Sequence, residues 1–327
     1  MYKYFAEEMS SRNIFHIIVM VAAITLSASC NGGGATGGRW YRFQGYAQGG
    51  TWAVTANLKG AAAGREEIAG VIEGLLESID TTLSGYNHNS LLSRYNAGEP
   101  VEMNGMFKDI LARSEHFKEI TGGAFDVASA PLFDIWGFGF TTDSLPSPEA
   151  VTAAMEQCKE GKKLNFNAIA QGYTCDVIAG YLHSVGIHEM LVDIGEIYCE
   201  GLNPSGRGWT LGIDAPEDGN ERPGEKLSGT WQSDGGSYGV VTSGNYRKFY
   251  IKDGKKYSHT IDPRTGYPVS HGLLSATVVA PTATEADALA TYFMVIGPDD
   301  ARDYVEAHDS IEACLICQDS IWRSEGF

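Results

Sequence analysis

The chain has 327 residues, 43% of them hydrophobic, and a formal net charge of −17 with no long run of like charge. That length supports one large domain or two small ones with proper cores. The acidic balance argues against a nucleic-acid binder, so a phosphate-bearing ligand would have to be met by local cations or by a metal.

The chain opens with a targeting segment. Ile14–Leu26 is a thirteen-residue apolar run, short for a membrane span and of the length of a signal h-region. Leu26-Ser27-Ala28-Ser29-Cys30, followed by Asn31-Gly32-Gly33-Gly34, resembles a bacterial lipoprotein signal in which Cys30 is lipidated and becomes the mature N-terminus. The competing reading is a cleaved secretory peptide with an incidental Cys. The expected organisation is a signal peptide at residues 1–29, a lipidated Cys and Gly-rich tether at 30–41, and one domain at 42–327.

Trp52–Leu58 reads as a strand. Glu66–Leu83 carries Ile68, Val71, Ile72, Leu75, Leu76, Ile79 and Leu83 at helical spacing. Ser84–Ser90 is a polar loop with Tyr86 at its middle, a side chain suited either to stacking on a planar ligand or to covering a core edge. Met106–Ile120 is a second amphipathic helix, stopped by Gly122-Gly123. Pro131–Gly139 is dense in aromatics beside glycine, as in close packing or an aromatic-walled slot. Ser147-Pro148-Glu149 is a helix start.

Leu164–Tyr173 is a small-residue segment that lets backbone approach a ligand before a helix over Tyr173–Val185. Leu191–Ile194, Trp209–Asp214, Val240–Ser243 and Lys248–Lys252 read as strands, and Asn203–Trp231 as mostly surface loop. With Cys30 assigned to lipidation, five cysteines remain and suggest no disulfide framework. Cys314 and Cys317 have CxxC spacing, but in a β-like run they face opposite sides, so buried free thiols are expected.

The last long stretch carries the most chemistry. An extended run ends at His259-Thr260-Ile261, the turn Asp262–Gly266 follows, and Leu274–Val279 returns as a strand. Thr282-Ala283-Thr284-Glu285 is a capping box. On the helix it starts, Asp287 and Thr291 lie four residues apart on one face. Such a pair near a helix N-terminus can hold a hard divalent cation beside a phosphate. By spacing alone, the same pair also suits a dipole-complementing Asp and a packing Thr. Helices dominate the first half and strands the second, which predicts an α+β fold.

Several of these segments together resemble the ApbE family of FAD:protein FMN transferases. The carrying pieces are Ser84-Gly-Tyr86 with Ser90 and Asn96, Phe125-Asp126 with Pro131-Leu132, and Trp136-Gly-Phe138-Gly139. They continue with Asn167-Ala-Ile-Ala-Gln-Gly-Tyr173 with Asp176, Thr242-Ser-Gly-Asn-Tyr246-Arg247, Ser258-His259-Thr-Ile-Asp262-Pro-Arg-Thr-Gly266 and Ala286-Asp287-Ala-Leu-Ala-Thr291. They span roughly Gln48 to Asp300 in the family's order.

The resemblance implies mixed and antiparallel sheets with flanking helices and an FAD site in a cleft between two lobes. It implies a Mg²⁺-dependent enzyme that moves FMN from FAD onto a Thr or Ser hydroxyl of exported flavoprotein subunits and releases AMP, lipid-anchored in the bacterial cell envelope and facing the periplasm. It assigns the metal to the Asp287 carboxylate, the Thr291 hydroxyl and the Ala168 carbonyl. It places Gln48, Tyr86, Ala124, Phe125, Asp126, Asn165, Gln171 and Ile261 along FAD, and makes His259 the proton acceptor, with a structural or ligand-binding His as the alternative. Arg247 would offer phosphate a fork of donors, or make a surface salt bridge.

This chain departs from the family pattern in carrying Asn165 where Asp is common and Gln171 where Lys or Glu is common. It also has one Gly of a Gly-Gly pair at Gly195. The competing readings are a Mg²⁺-dependent FAD pyrophosphatase giving FMN and AMP, a non-catalytic FAD-binding lipoprotein, and a generic secreted binding domain.

Overall fold

The computed structural model describes residues 38–138, 145–217, 220, 224–245, 249–252 and 255–327. The signal, Cys30 and the tether as far as residue 37 lie outside the described residues, as do Gly139, Tyr246 and Arg247. Ala35–Phe327 forms one compact unit.

The chain enters the sheet almost at once. β1 (Trp40–Ala47) and β2 (Gly50–Asn57) pair from Trp40 against Asn57 to Ala47 against Gly50. Gln48 and Gly49 close this hairpin with φ of 52° and 79°, the left-handed pair whose twist matches the flanking strands. Trp40 and Tyr41 therefore belong to the sheet, whereas the sequence reading gave them to the tether.

The helical half follows. α1 (Arg65–Leu83) buries Ile68, Ile72, Leu76, Ile79 and Leu83, the predicted stripe. α2 (Leu91–Asn96) is capped by Ser90, whose side chain accepts from the Ser93 N–H. α3 (Gly105–Ile120) is capped by Asn104, and Gly122 and Gly123 turn the chain away at positive φ. A 3₁₀ turn at Val127–Ser129 leads into α4 (Ala130–Ile135). α5 (Pro148–Glu160) begins at the Ser147 cap. α6 (Ala170–Ser184) starts three residues before the expected Tyr173.

The strands come next. They are β3 (Met190–Asp193), β4 (Ile197–Glu200), β5 (Thr210–Asp214), β6 (Leu227–Gln232) and β7 (Ser237–Gly244). β8 (Phe249–Lys252), β9 (Lys255–Ser258), β10 (Ile261–Asp262), β11 (Tyr267–Pro268) and β12 (Leu273–Ala280) complete this run. α7 (Ala283–Ile296), α8 (Pro298–Glu306), β13 (Glu312–Cys317) and β14 (Ile321–Arg323) close the chain. β5 and β6 form a separate hairpin inside the stretch expected to be mostly loop.

Eight strands form the main sheet in the order β1-β2-β3-β4-β7-β12-β13-β14. Every pairing among the described strands is antiparallel, so the antiparallel half of the expectation accounts for the sheets and no parallel pair occurs among these residues. β12 lies between β7 and β13 and is buried along nearly its whole length, which is why it reads as a Val/Ala/Thr run without alternation. α7 covers it, burying Leu289, Ala290, Phe293 and Met294 in one cluster with Val278 and Leu315. Truncating a fully buried side chain of this kind, such as Phe293→Ala, costs about 3–5 kcal/mol. α1 and α6 pack on β2 and β3 through Ile72, Ile178, Val54 and Val192. A third cluster joins Phe107 of α3, Phe166 and Ala288 of α7.

The five described cysteines are free. Cys314 packs on one face with Ile213 and Ile316 and Cys317 on the other with Leu315, as strand alternation requires of this CxxC pair, although Cys317 is half-buried rather than buried. Burial pushes the Cys158 thiol up to about 11 and the Cys199 thiol to about 12, which keeps both protonated and unreactive at neutral pH.

Candidate active site

The site is built where the first turns of α6 and α7 meet. Thr282 caps α7 by accepting from the Glu285 N–H at 3.2 Å, as the capping box predicts. Asp176 of α6 reaches across and accepts from the Ala283 and Thr284 N–H groups at 2.9 and 2.8 Å, and from the Thr284 hydroxyl. In return Asp287 of α7 accepts from the Gly172 N–H at 2.9 Å. Each helix thus supplies a carboxylate to the positive end of the other. Gly172 makes the approach possible, since a Cβ there would lie 2.2 Å from the Ala283 carbonyl oxygen and 2.8 Å from Asp287 Cβ.

Asp287 is buried, and desolvation pushes its carboxyl up to about 7. The Gly172 hydrogen bond opposes that shift, and the negative charge of Asp176 adds to it. Asp176 is itself raised, because its burial outweighs the bonds it accepts from Thr284 and Ala283. The charged group acting on Asp287 is therefore a second carboxylate, which leaves the pair short of positive charge. A divalent cation fits that deficit, and the neighbouring donors are hard oxygens.

A cavity of about 300 Å³ opens on this point. Ten of the twelve residues singled out in the sequence line it: Tyr86, Ala124, Phe125, Asp126, Asn165, Ala168, His259, Ile261, Asp287 and Thr291. The other two, Gln48 and Gln171, line an adjoining cavity of about 650 Å³ that shares Tyr86 and Asn167 with the first. Two adjoining compartments suit an elongated ligand such as a dinucleotide.

Local structure holds each piece. Tyr86 is 66% exposed at the rim of both cavities. Its loop is tied by Ser84 Oγ, which accepts from the Asn87 N–H at 3.2 Å, and by Ser90 Oγ, which donates to the Ser84 carbonyl at 2.7 Å. Asp126 caps the 3₁₀ turn, accepting from the Ala128 N–H, and pairs with Lys118 at 3.0 Å. The Asn96 amide clamps both the N–H and the C=O of Leu164 at 2.8 Å, while Asn165 accepts from the Asn167 N–H at 2.9 Å. Together they shape the segment that presents Ala168.

His259 follows β9 and meets Phe138 edge-on, with ring centroids 6.3 Å apart. Beyond it the turn closes as expected, with the Gly266 N–H donating to the Asp262 carbonyl at 2.8 Å and Gly266 at φ 79°. Trp136 Nε1–H fixes that turn by donating to the Gly266 carbonyl at 2.8 Å. The cavity runs between the sheet-and-α7 layer, to which Thr242 and Thr291 belong, and a smaller cluster of Leu132, Trp136, Val151 and Ile261.

Sequence reasoning assigns no site role to several polar wall residues, among them Glu196, and Thr242 and Ser243 of the quoted motif. Ser243 Oγ lies 3.4 Å from Thr291 Oγ1, and Glu196 Oε2 accepts from the Thr242 N–H at 3.4 Å. A carboxylate directly after Gly195, and hydroxyls ending an apolar strand, were the available signals. The single-glycine turn has a physical reason here. Gln171 donates to the Ile194 carbonyl at 3.0 Å, and its amide nitrogen lies 3.0 Å from where a Gly195 Cβ would stand, at φ 103°.

The sequence profile of the ApbE family matches residues 49–315, which takes in the whole site except Gln48. This chain belongs to the ApbE family. It is 30% identical to the FAD:protein FMN transferase of Haemophilus influenzae over 275 residues, 76% of this chain and 78% of that protein. It is 33% identical to the Escherichia coli K12 protein of the same name, covering 76% of this chain and 77% of that one. Its fold superposes on the crystal structure of the Pseudomonas stutzeri flavinyl transferase ApbE with a TM-score of 0.77 at 30% identity, over 89% of this chain and 96% of that one. The flavin transferase ApbE from Vibrio cholerae gives 0.74 at 29% identity, over 89% and 98%. The α+β architecture expected from the resemblance is the one these ApbE structures have.

Proposed function

We propose that this chain transfers FMN from FAD to a Thr or Ser hydroxyl of a protein acceptor, with release of AMP. The observation that carries the proposal is the convergence of Asp287, Thr291, Ala168, His259 and Tyr86 on one cavity, in a chain whose relatives are named FAD:protein FMN transferases.

Asp287, Thr291 and the Ala168 carbonyl would hold Mg²⁺, whose chemistry there is to neutralise charge on the FAD pyrophosphate. Tyr86 and the Ala124–Asp126 segment take the planar part of FAD, and Asn165 supplies a hydrogen-bonding amide beside them. Gln48 and Gln171 extend the contact into the second cavity. His259 takes the proton from the acceptor hydroxyl. The hydroxyl oxygen forms a bond to the FMN phosphorus, the bridging P–O bond breaks, and AMP leaves with the bridging oxygen. The small-residue walls and the buried carboxylate pair position these groups, which is where most of the catalysis in phosphoryl transfer lies.

The acceptors in this proposal are exported flavoprotein subunits, and the chain is held in the cell envelope through lipidated Cys30, an assignment supported by the sequence of residues 14–34 alone. No helix among the described residues is long and apolar enough to cross a membrane. Mass spectrometry of the mature N-terminus tests the anchor, and a chain cleaved elsewhere without lipid removes it. For the reaction, full-length protein is incubated with FAD, Mg²⁺ and a flavoprotein subunit from the same cell. One AMP released per FMN bound to the acceptor supports transfer. AMP with an equal amount of free FMN and no adduct makes the chain a pyrophosphatase.

A further inference from the structure

At the opposite end of α6 from the catalytic cavity, two imidazoles close on one carboxylate. His183 Nε2 lies 2.5 Å from Glu200 Oε2, and His188 Nδ1 lies 3.2 Å from Glu200 Oε1. The two rings stack, with centroids 5.1 Å apart and planes 19° apart. The three ligand atoms all lie within 4.8 Å of one another. We propose that His183, His188 and Glu200 form a second metal site, for Zn²⁺ or a neighbouring divalent transition ion, that clamps the C-terminus of α6 to the end of β4.

The donor set points to that ion class. Two nitrogens and a carboxylate suit Zn²⁺ and its neighbours in the transition series and not Mg²⁺, which keeps to oxygens. A four-coordinate Zn²⁺ with bonds of about 2.0–2.2 Å needs ligand atoms on a triangle with edges of roughly 3.3–3.6 Å. Two ring nitrogens and the Tyr198 hydroxyl converge on a single half-buried carboxylate, with one imidazole at each oxygen. On binding, each ring turns a lone pair inward and carries its proton on the outer nitrogen, so two hydrogen bonds give way to two metal bonds.

The supports are those of a built site. Tyr198 donates its hydroxyl to Glu200 Oε2 at 2.9 Å, the outer contact that orients a ligating carboxylate. Glu200 pairs with Met190 across the β3–β4 hairpin. Gly201, at φ 68°, lets the strand end approach the His188 backbone, where a Cβ would stand 2.6 Å from the His188 carbonyl oxygen. His183 sits in the last turn of α6, whose chain reversal runs through Gly186, with the Ile187 N–H donating to the Leu182 carbonyl at 2.9 Å. A cation here also meets the negative end of the helix dipole. His188 is 66% exposed, which leaves the cluster open to water on that side. His183 and Ala170 are thirteen residues apart, which places the ion about 20 Å from the catalytic cavity along α6. With three protein ligands the site keeps an open position rather than the closed set of a structural zinc, and what the ion contributes here is the tie between α6 and β4.

The test is Zn²⁺ titration of metal-free full-length protein against a chromophoric chelator, in excess Mg²⁺. Wild type and Asp287→Asn should each bind one Zn²⁺ and gain thermal stability. His188→Ala, a change at an exposed side chain, and Glu200→Gln should lose that binding while keeping Mg²⁺-dependent activity and a folded spectrum. Tyr198→Phe should weaken it by about tenfold. Co²⁺ in place of Zn²⁺ should give a visible absorption that His188→Ala loses. Equal Zn²⁺ affinity in wild type and His188→Ala, or loss of the ion on Asp287→Asn alone, would overturn the site.

Discussion

Asp176 and Asp287 exchange hydrogen bonds between two helices: Asp176 on α6 accepts from the Ala283 and Thr284 N–H groups of α7, and Asp287 on α7 accepts from the Gly172 N–H of α6. The arrangement fixes the metal-binding candidate to the segment opposite it. Placing two carboxylates in this buried junction costs desolvation, which the helix N-termini offset only in part. Asp176→Ala leaves the Ala283 and Thr284 N–H groups at the start of α7 without their acceptor, and should lower stability by about 1–3 kcal/mol, read from the urea midpoint. It should also reduce FMN transfer, because α7 loses its cross-helix cap. Full activity with an unchanged midpoint would separate Asp176 from the site.

The same burial gives a pH dependence with a definite sign. Asp287 titrates near 3.8 when unfolded and is pushed up to about 7 in the fold. Between those values the folded chain keeps a proton that the unfolded chain has released. Metal-free protein should be most stable below this window, lose up to about 1.4 kcal/mol per pH unit as pH rises through it, and level off above it. Asp287→Asn should show a shallower decline, and Mg²⁺ should restore stability at the alkaline end by binding the ionised form. Thermal melts from pH 5 to 8 in chelator check this, and superimposable profiles for wild type and variant contradict it.

Gly172 tests the close approach directly. An Ala there places a methyl group 2.2 Å from the Ala283 carbonyl oxygen, so the helices must separate. Gly172→Ala should cost about 1–3 kcal/mol by overpacking and should raise the Mg²⁺ concentration needed for transfer. Gly180→Ala, where a Cβ on the same helix meets nothing within 4 Å, is the control: it should leave the Mg²⁺ requirement unchanged and raise stability by about 0.5–1 kcal/mol through helix propensity.

Tyr86 is exposed and holds no core together, so Tyr86→Ala should leave thermal stability within about 0.5 kcal/mol of wild type. FAD affinity, measured by quenching of flavin fluorescence, should fall by about 0.5–1.5 kcal/mol, the usual worth of an aromatic pair. Unchanged affinity would remove Tyr86 from the flavin contact.

Much of this was legible because the signals were local. Thr282 and Glu285 announce the start of α7, Ile68 to Leu83 announce the buried face of α1, and Ser147-Pro148 announce α5. The site residues came through motifs whose order along the chain is shared with a family. What sequence could not show depends on register between distant strands. β4 is four residues between glycines, and its place beside β7 brings Glu196 to Thr242. Trp40 and Tyr41 look like tether until β2 pairs with them. The His183–His188–Glu200 cluster needs both a helix end and a hairpin to assemble.

The measurement that tests the central claim most directly is the intact mass of an acceptor flavoprotein subunit after incubation with FAD and full-length enzyme, wild type beside Asp287→Asn, with and without Mg²⁺. The account predicts an added FMN mass with wild type and Mg²⁺, no adduct without Mg²⁺, and no adduct with Asp287→Asn although that chain is folded. An adduct formed equally well by Asp287→Asn in chelator would contradict it.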